Sequence, residues 1–155
     1  MGVVNVQGAT ALTEASREGH ELCAQRLIGG HANADAAEPG GFTALMCASH
    51  DGQELIVRIL TTGGADVDAA DDSGWTALIF ASFNGHATCV RALLEAGAIV
   101  DATDDSGWTA LIFASFNGHA TCVRALLEAR ANVDATDDSG YRPVTKLFFI
   151  GMRTN

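Results

Sequence analysis

The sequence predicts an all-α solenoid of helix-turn-helix units joined by β-hairpin-like turns, with four full units and a C-terminal half unit in one domain, residues 1–155. Three observations carry this expectation. Residues 71–103, DDSGWTALIFASFNGHATCVRALLEAGAIVDAT, return at 104–136 with changes only at Gly97/Arg130 and Ile99/Asn132. The same spacing of 33 residues, Trp75 to Trp108, runs backward through 38–70 and 5–37 and forward into a partial unit at 137–155. Within each unit, two short apolar runs are split by a glycine and followed by a polar, turn-rich link. A fixed period of this length marks stacked supersecondary units.

Each element has its own reason. The Thr76 hydroxyl suits a helix N-cap, so Ala77–Asn84 reads as a short helix closed by Gly85. A second helix follows from about His86 to Ala96; its Cys89, Val90, Leu93 and Leu94 fall on one helical face. Gly97 stands where a left-handed C-cap is wanted, and Val100–Gly107 is the link. Helices this short cannot bury their apolar faces alone, so units stacked about 8–10 Å apart must share a core. Arg130 and His31 occupy the C-cap column of Gly97, at about 1 kcal/mol each if held left-handed. One first-helix column reads Glu14, Cys47, Phe80, Phe113, Lys146. Charge at the ends and apolar residues between is the pattern of a capped stack. At the C-terminus, Arg142-Pro143 and then Leu147-Phe148-Phe149-Ile150 leave three readings open: a frayed end, self-association through Phe149 and Ile150, or truncation of a longer protein.

Composition excludes several functions. The net charge is −10, with nine basic residues against nineteen acids, the wrong sign for a phosphate backbone and the right one for basic partners. No apolar run approaches the ~18 residues of a membrane helix, and the start Met1–Val6 has neither signal-peptide nor myristoylation character. Cys23, Cys89 and Cys122 share one column of the second helix, and Cys47 shares that of Phe80. They read as buried small hydrophobes, roughly 10 Å apart at the unit spacing and so too far for disulfides. Free thiols, with no N-x-S/T acceptor, predict a reducing, cytoplasmic setting. His20, His86 and His119 recur with the repeat and read as structural, while a catalytic histidine would be unique. The link Asp101–Gly107 places its acids wrongly for a calcium loop. No nucleophile–base set, phosphate loop or convergent metal ligands occur, so no catalytic residue, cofactor or metal is expected and the chain is not read as an enzyme.

The D-x-x-G-x-T-x-L start, the A-x-x-x-G-H junction, the L-L-x-x-G-A end and the turn between units resemble the ankyrin-repeat family over residues 5–151. The family's T-P-L-H is TALI at 76–79 and 109–112, TALM at 43–46 and TALT at 10–13. The hydrogen bonds of that histidine are lost, which predicts slacker links between neighbouring turns. The resemblance implies a protein-binding module whose concave groove is lined by the residue after the turn glycine and by the outer side of the first helix. On this chain those positions carry Phe42, Trp75, Phe83, Trp108, Phe116 and Tyr141 as an aromatic ladder, with Asn84 and Asn117 beside it and Asp72, Ser73, Asp105, Ser106 and Asp138 as an acidic rim; the alternative reading is that each tryptophan packs on its neighbour's hairpin and only stiffens the stack. The implied partner is another protein or peptide, basic and apolar, held by a monomer. The alternatives are a self-associating structural solenoid and a truncated regulatory fragment of a larger ankyrin protein.

Overall fold

The structure, a computed structural model, describes residues 10–137 and Gly140. Eight helices occur among them: α1 (Ala11–Arg17), α2 (Glu21–Gly29), α3 (Ala44–His50), α4 (Glu54–Thr62), α5 (Ala77–Asn84), α6 (Ala87–Glu95), α7 (Ala110–Asn117) and α8 (Ala120–Glu128). Each odd helix packs on the even helix that follows it. The odd helices stack in one row and the even helices in a second. Thr10, Thr43, Thr76 and Thr109 cap the first helices, each hydroxyl accepting the backbone N–H three residues on. Isolated antiparallel bridges, Ala70 with Thr76 and Thr103 with Thr109, close the hairpin turns.

Leu12, Leu45, Leu78 and Leu111 occupy one column of the core, with Leu60, Leu93 and Leu126 in another. Each fully buried leucine contributes about 1.5–3 kcal/mol. Gly64 and Gly97 take the left-handed conformation after the second helix, and His31 (φ 62°) and Arg130 (φ 65°) are held in it without glycine's freedom.

The units are joined by repeating polar contacts. The Asp35, Asp68 and Asp101 carboxylates accept the backbone N–H of Asp66, Ile99 and Asn132 in the next unit at 2.7, 2.8 and 2.9 Å. These acids of the links are therefore acceptors for backbone. His86 and His119 reach back one unit, and their Nε2–H groups donate to the carbonyls of His50 and Phe83 at 3.0 and 2.9 Å. A carbonyl only accepts, so the tautomer follows from the geometry. The rings lie so close over Gly52 and Gly85 that a Cβ there would come within 2.7 and 2.6 Å of Nδ1. Neighbouring turns are joined backbone to backbone, Asp72 N–H donating to Gly40 O (2.9 Å) and Asp105 N–H to Ser73 O (3.1 Å).

One burial expectation fails. Cys89 and Cys122 are buried, as is Cys47, but Cys23 is exposed. Its column faces the preceding unit, and among the described residues no helix pair lies on that side of α1 and α2. Leu22 beside it is 76% exposed, but its column, with Leu55, Thr88 and Thr121, is exposed in every unit. Asp138, Tyr141, Lys146, Phe149 and Ile150 lie outside the described residues.

Candidate functional site

The hairpin turns and the first helices together make one face. Asp71 builds its turn by accepting the N–H groups of Ser73 (2.9 Å) and Trp75 (2.8 Å) on one carboxylate oxygen. Asp104 does the same for Ser106 and Trp108 at 2.9 and 2.8 Å. Each aspartate thus fixes the backbone that carries an indole. Gly41 and Gly74 let successive turns nest, since an added Cβ would lie 2.9 and 3.0 Å from the Cα atoms of Asp71 and Asp104.

From this scaffold the aromatic rings form one connected array. Phe42 packs on Phe80 at 5.6 Å between centroids, and Phe80 on Trp75 at 5.0 Å. Trp75 also touches Phe83 edge-on at 5.3 Å and Phe113 of the next unit at 4.7 Å. Phe113 meets Phe83 at 5.7 Å and Trp108 at 4.8 Å, and Trp108 meets Phe116 at 5.4 Å. Tilted and edge-to-face rings at these separations attract by about 0.5–1.5 kcal/mol per pair beyond their area. Both tryptophans are half-buried within the array. Phe83 and Phe116 rise from it, 39% and 49% exposed.

Of the residues the sequence singled out, the structure joins Phe42, Trp75, Phe83, Trp108 and Phe116. Asn84 turns its amide to its own helix, donating to Phe80 O at 3.0 Å, while Asn117 crosses to Phe83 O at 2.9 Å. Asp72, Ser73, Asp105 and Ser106 stand exposed on the turn tips. Phe80 and Phe113 were missed as members of the array, having been read only as core. Their position three residues before Phe83 and Phe116, on the same helix face, was the available signal. His50 was missed as well: its ring stands edge-on to Phe80 at 6.0 Å, and its Nδ1–H donates to Asp51 Oδ1 at 2.7 Å.

Among the described residues no three His, Cys, Asp or Glu side chains converge as a metal set, and no helix is long and apolar enough to cross a membrane. Burial pushes the thiols of Cys47, Cys89 and Cys122 up to about 11, away from the nucleophilic thiolate.

The fold and the array define a helical-repeat solenoid with one aromatic face. A family model described as ankyrin repeats (3 copies) matches residues 1–71 and 54–137. The chain belongs to the ankyrin-repeat family, whose members generally serve protein–protein interaction. No match was found among curated protein sequences.

Proposed function

We propose that the chain is a non-catalytic binding module that holds a segment of another protein along the hairpin and first-helix face, the concave face of the family. The supporting observation is the continuous array from Phe42 to Phe116, with Phe83 and Phe116 protruding from it. Large exposed aromatics are a liability unless covered part of the time, and such residues dominate binding energy where they are covered. Trp75 and Trp108 both pack on Phe113, at 4.7 and 4.8 Å, so the two indoles lie under 10 Å apart. That matches apolar side chains about three residues apart on an extended segment. Asp72 and Asp105 on the tips favour lysine or arginine in the partner, with cation–π contacts to the rings. The free thiols suit a reducing compartment, and the net charge of −10 keeps copies apart as monomers.

The test is capture of partners from a cell lysate by the parent chain and by W75A/W108A, with helical circular dichroism as the folding control. The parent should retain a partner that the folded double variant loses. Equal capture by both removes this face from the function.

A further inference from the structure

The face changes character along its length. In the column of Phe83 and Phe116 the first two units carry Arg17 and His50, and in that of Phe80 and Phe113 they carry Glu14 and Cys47. Where units 3 and 4 have Asn84 and Asn117, units 1 and 2 have Glu18 and Asp51. Aromatic rings therefore crowd one half of the face and charged groups the other.

Those two acids are placed against the interests of the fold. Glu18 is the C-cap of α1 and Asp51 the C-cap of α3. The C-terminal end of a helix carries the negative end of its dipole, which repels a carboxylate and welcomes a cation. Both acids are exposed. Asp51 is bonded to His50, whose ring abuts Phe80, so its carboxylate sits at the lip of the aromatic array. Arg17, the one arginine or lysine of the described first helices and turns, is already tied to Glu38 at 2.9 Å and to Glu14 at 3.5 Å. Arg26, Arg58, Arg91 and Arg124 all lie on second helices, and Arg130 just follows α8. The face thus presents two exposed acids at helix C-termini, where the dipole disfavours them.

We infer, resting on the reading of this face as the binding face, that the segment it holds is bipartite: cationic side chains over Glu18 and Asp51 in units 1 and 2, and large apolar side chains over Phe83 and Phe116 in units 3 and 4. Neighbouring units stand about 10 Å apart, so three steps from Glu18 to Phe116 span about 30 Å, nine or so extended residues. A second copy of this chain is the wrong chemistry, being acidic itself. The order of charge along the segment, and not its composition alone, sets the affinity.

The chain's only two tryptophans, Trp75 and Trp108, both stand in the array, so their fluorescence reads occupancy directly. The probe is a synthetic peptide of about twelve residues, arginines at one end and leucine and phenylalanine at the other. Its isomer has the same composition with arginine and apolar residues alternating. The block peptide should bind at least about tenfold more tightly than the isomer, with affinity falling as salt rises. E18K/D51K should fold and melt no lower than the parent, yet lose about tenfold in affinity and most of the salt dependence. E21Q/E128Q, at exposed acids of second helices α2 and α8 and away from this face, should leave both nearly intact. Equal binding of the two peptides overturns the inference, as does an E18K/D51K variant that binds like the parent or an E21Q/E128Q variant that loses as much. Silence of the tryptophans toward both peptides overturns it too. In each case the wider reading of the face stands or falls separately, by whether W75A/W108A still captures a lysate partner.

Discussion

At the scale of single residues, two near-identical units supply an internal control. Gly97 and Arg130 share a column after the second helix, both left-handed, at φ 93° and 65°. Arg130→Gly should therefore raise unfolding free energy by about 1 kcal/mol, and Gly97→Arg should lower it by a similar amount; urea unfolding of the two variants checks the pair. Ser16, Ser49, Ser82 and Ser115 repeat another feature: each is fully buried in a first helix, and its hydroxyl has no hydrogen-bond partner. A buried hydroxyl without a partner costs about 1–3 kcal/mol, so Ser82→Ala should be neutral or stabilising, and a loss beyond about 1 kcal/mol would show a bond absent from this geometry. The cysteines separate by exposure, and a thiol reagent should modify Cys23 first and the three buried thiols only on unfolding. Those three titrate at about 11 in the folded chain against an ordinary 9.0. The unfolded chain releases these protons first, so stability is fully present below pH 9 and is lost as pH rises through 11, visible as a falling Tm across that window.

At the scale of elements, much was legible because each local signal agrees with its neighbour. Thr76, Gly85 and Gly97 bound the two helices of their unit from sequence alone, and the structure places α5 over Ala77–Asn84 and α6 over Ala87–Glu95. What escaped was set by position in the stack. Cys23 holds the same place in its helix as Cys89 but has no unit against it among the described residues, and a column of letters does not show which flank is open. Phe80 is buried by Trp75 and Phe42, so it looks like core in sequence and is also the hub of the face. The turn is the element where sequence and site meet. Asp104 holds two backbone N–H groups, one of them that of Trp108. Asp104→Ala should cost about 2 kcal/mol, two bonds to a charged acceptor net of hydration, and should red-shift Trp108 emission as the turn loosens. Asp105→Ala, on the same tip, should do neither, since its turn contact is made by backbone N–H.

At the scale of the whole molecule, stability in a solenoid is close to a sum of unit terms and nearest-neighbour interfaces, and the duplication permits a direct test of that sum. Removing residues 71–103 joins Ala70 to Asp104. Every contact that unit 2 makes with unit 3 then has an equivalent donor in unit 4: the Asp68 carboxylate would take Asn132 N–H in place of Ile99, Gly41 would face Asp104 in place of Asp71, and His119 would lie over Gly52 in place of His86. The shortened chain should fold with the same helical signature per residue and melt cooperatively, at lower temperature, because one unit and one interface are gone. Inserting a third copy of the 33-residue block should move Tm the other way. The binding face responds differently from the fold. The deletion leaves Trp108, Phe113 and Phe116 intact but removes the Trp75 and Phe83 contacts to Phe113, and it brings Asp51 one unit closer to the remaining aromatic group. A partner that needs two apolar anchors should lose affinity by far more than the drop in Tm suggests, whereas one held by a single notch should bind unchanged. An unfolded deletion product would mean that the units are not interchangeable despite their sequence, and the nearest-neighbour account of this chain would have to be given up.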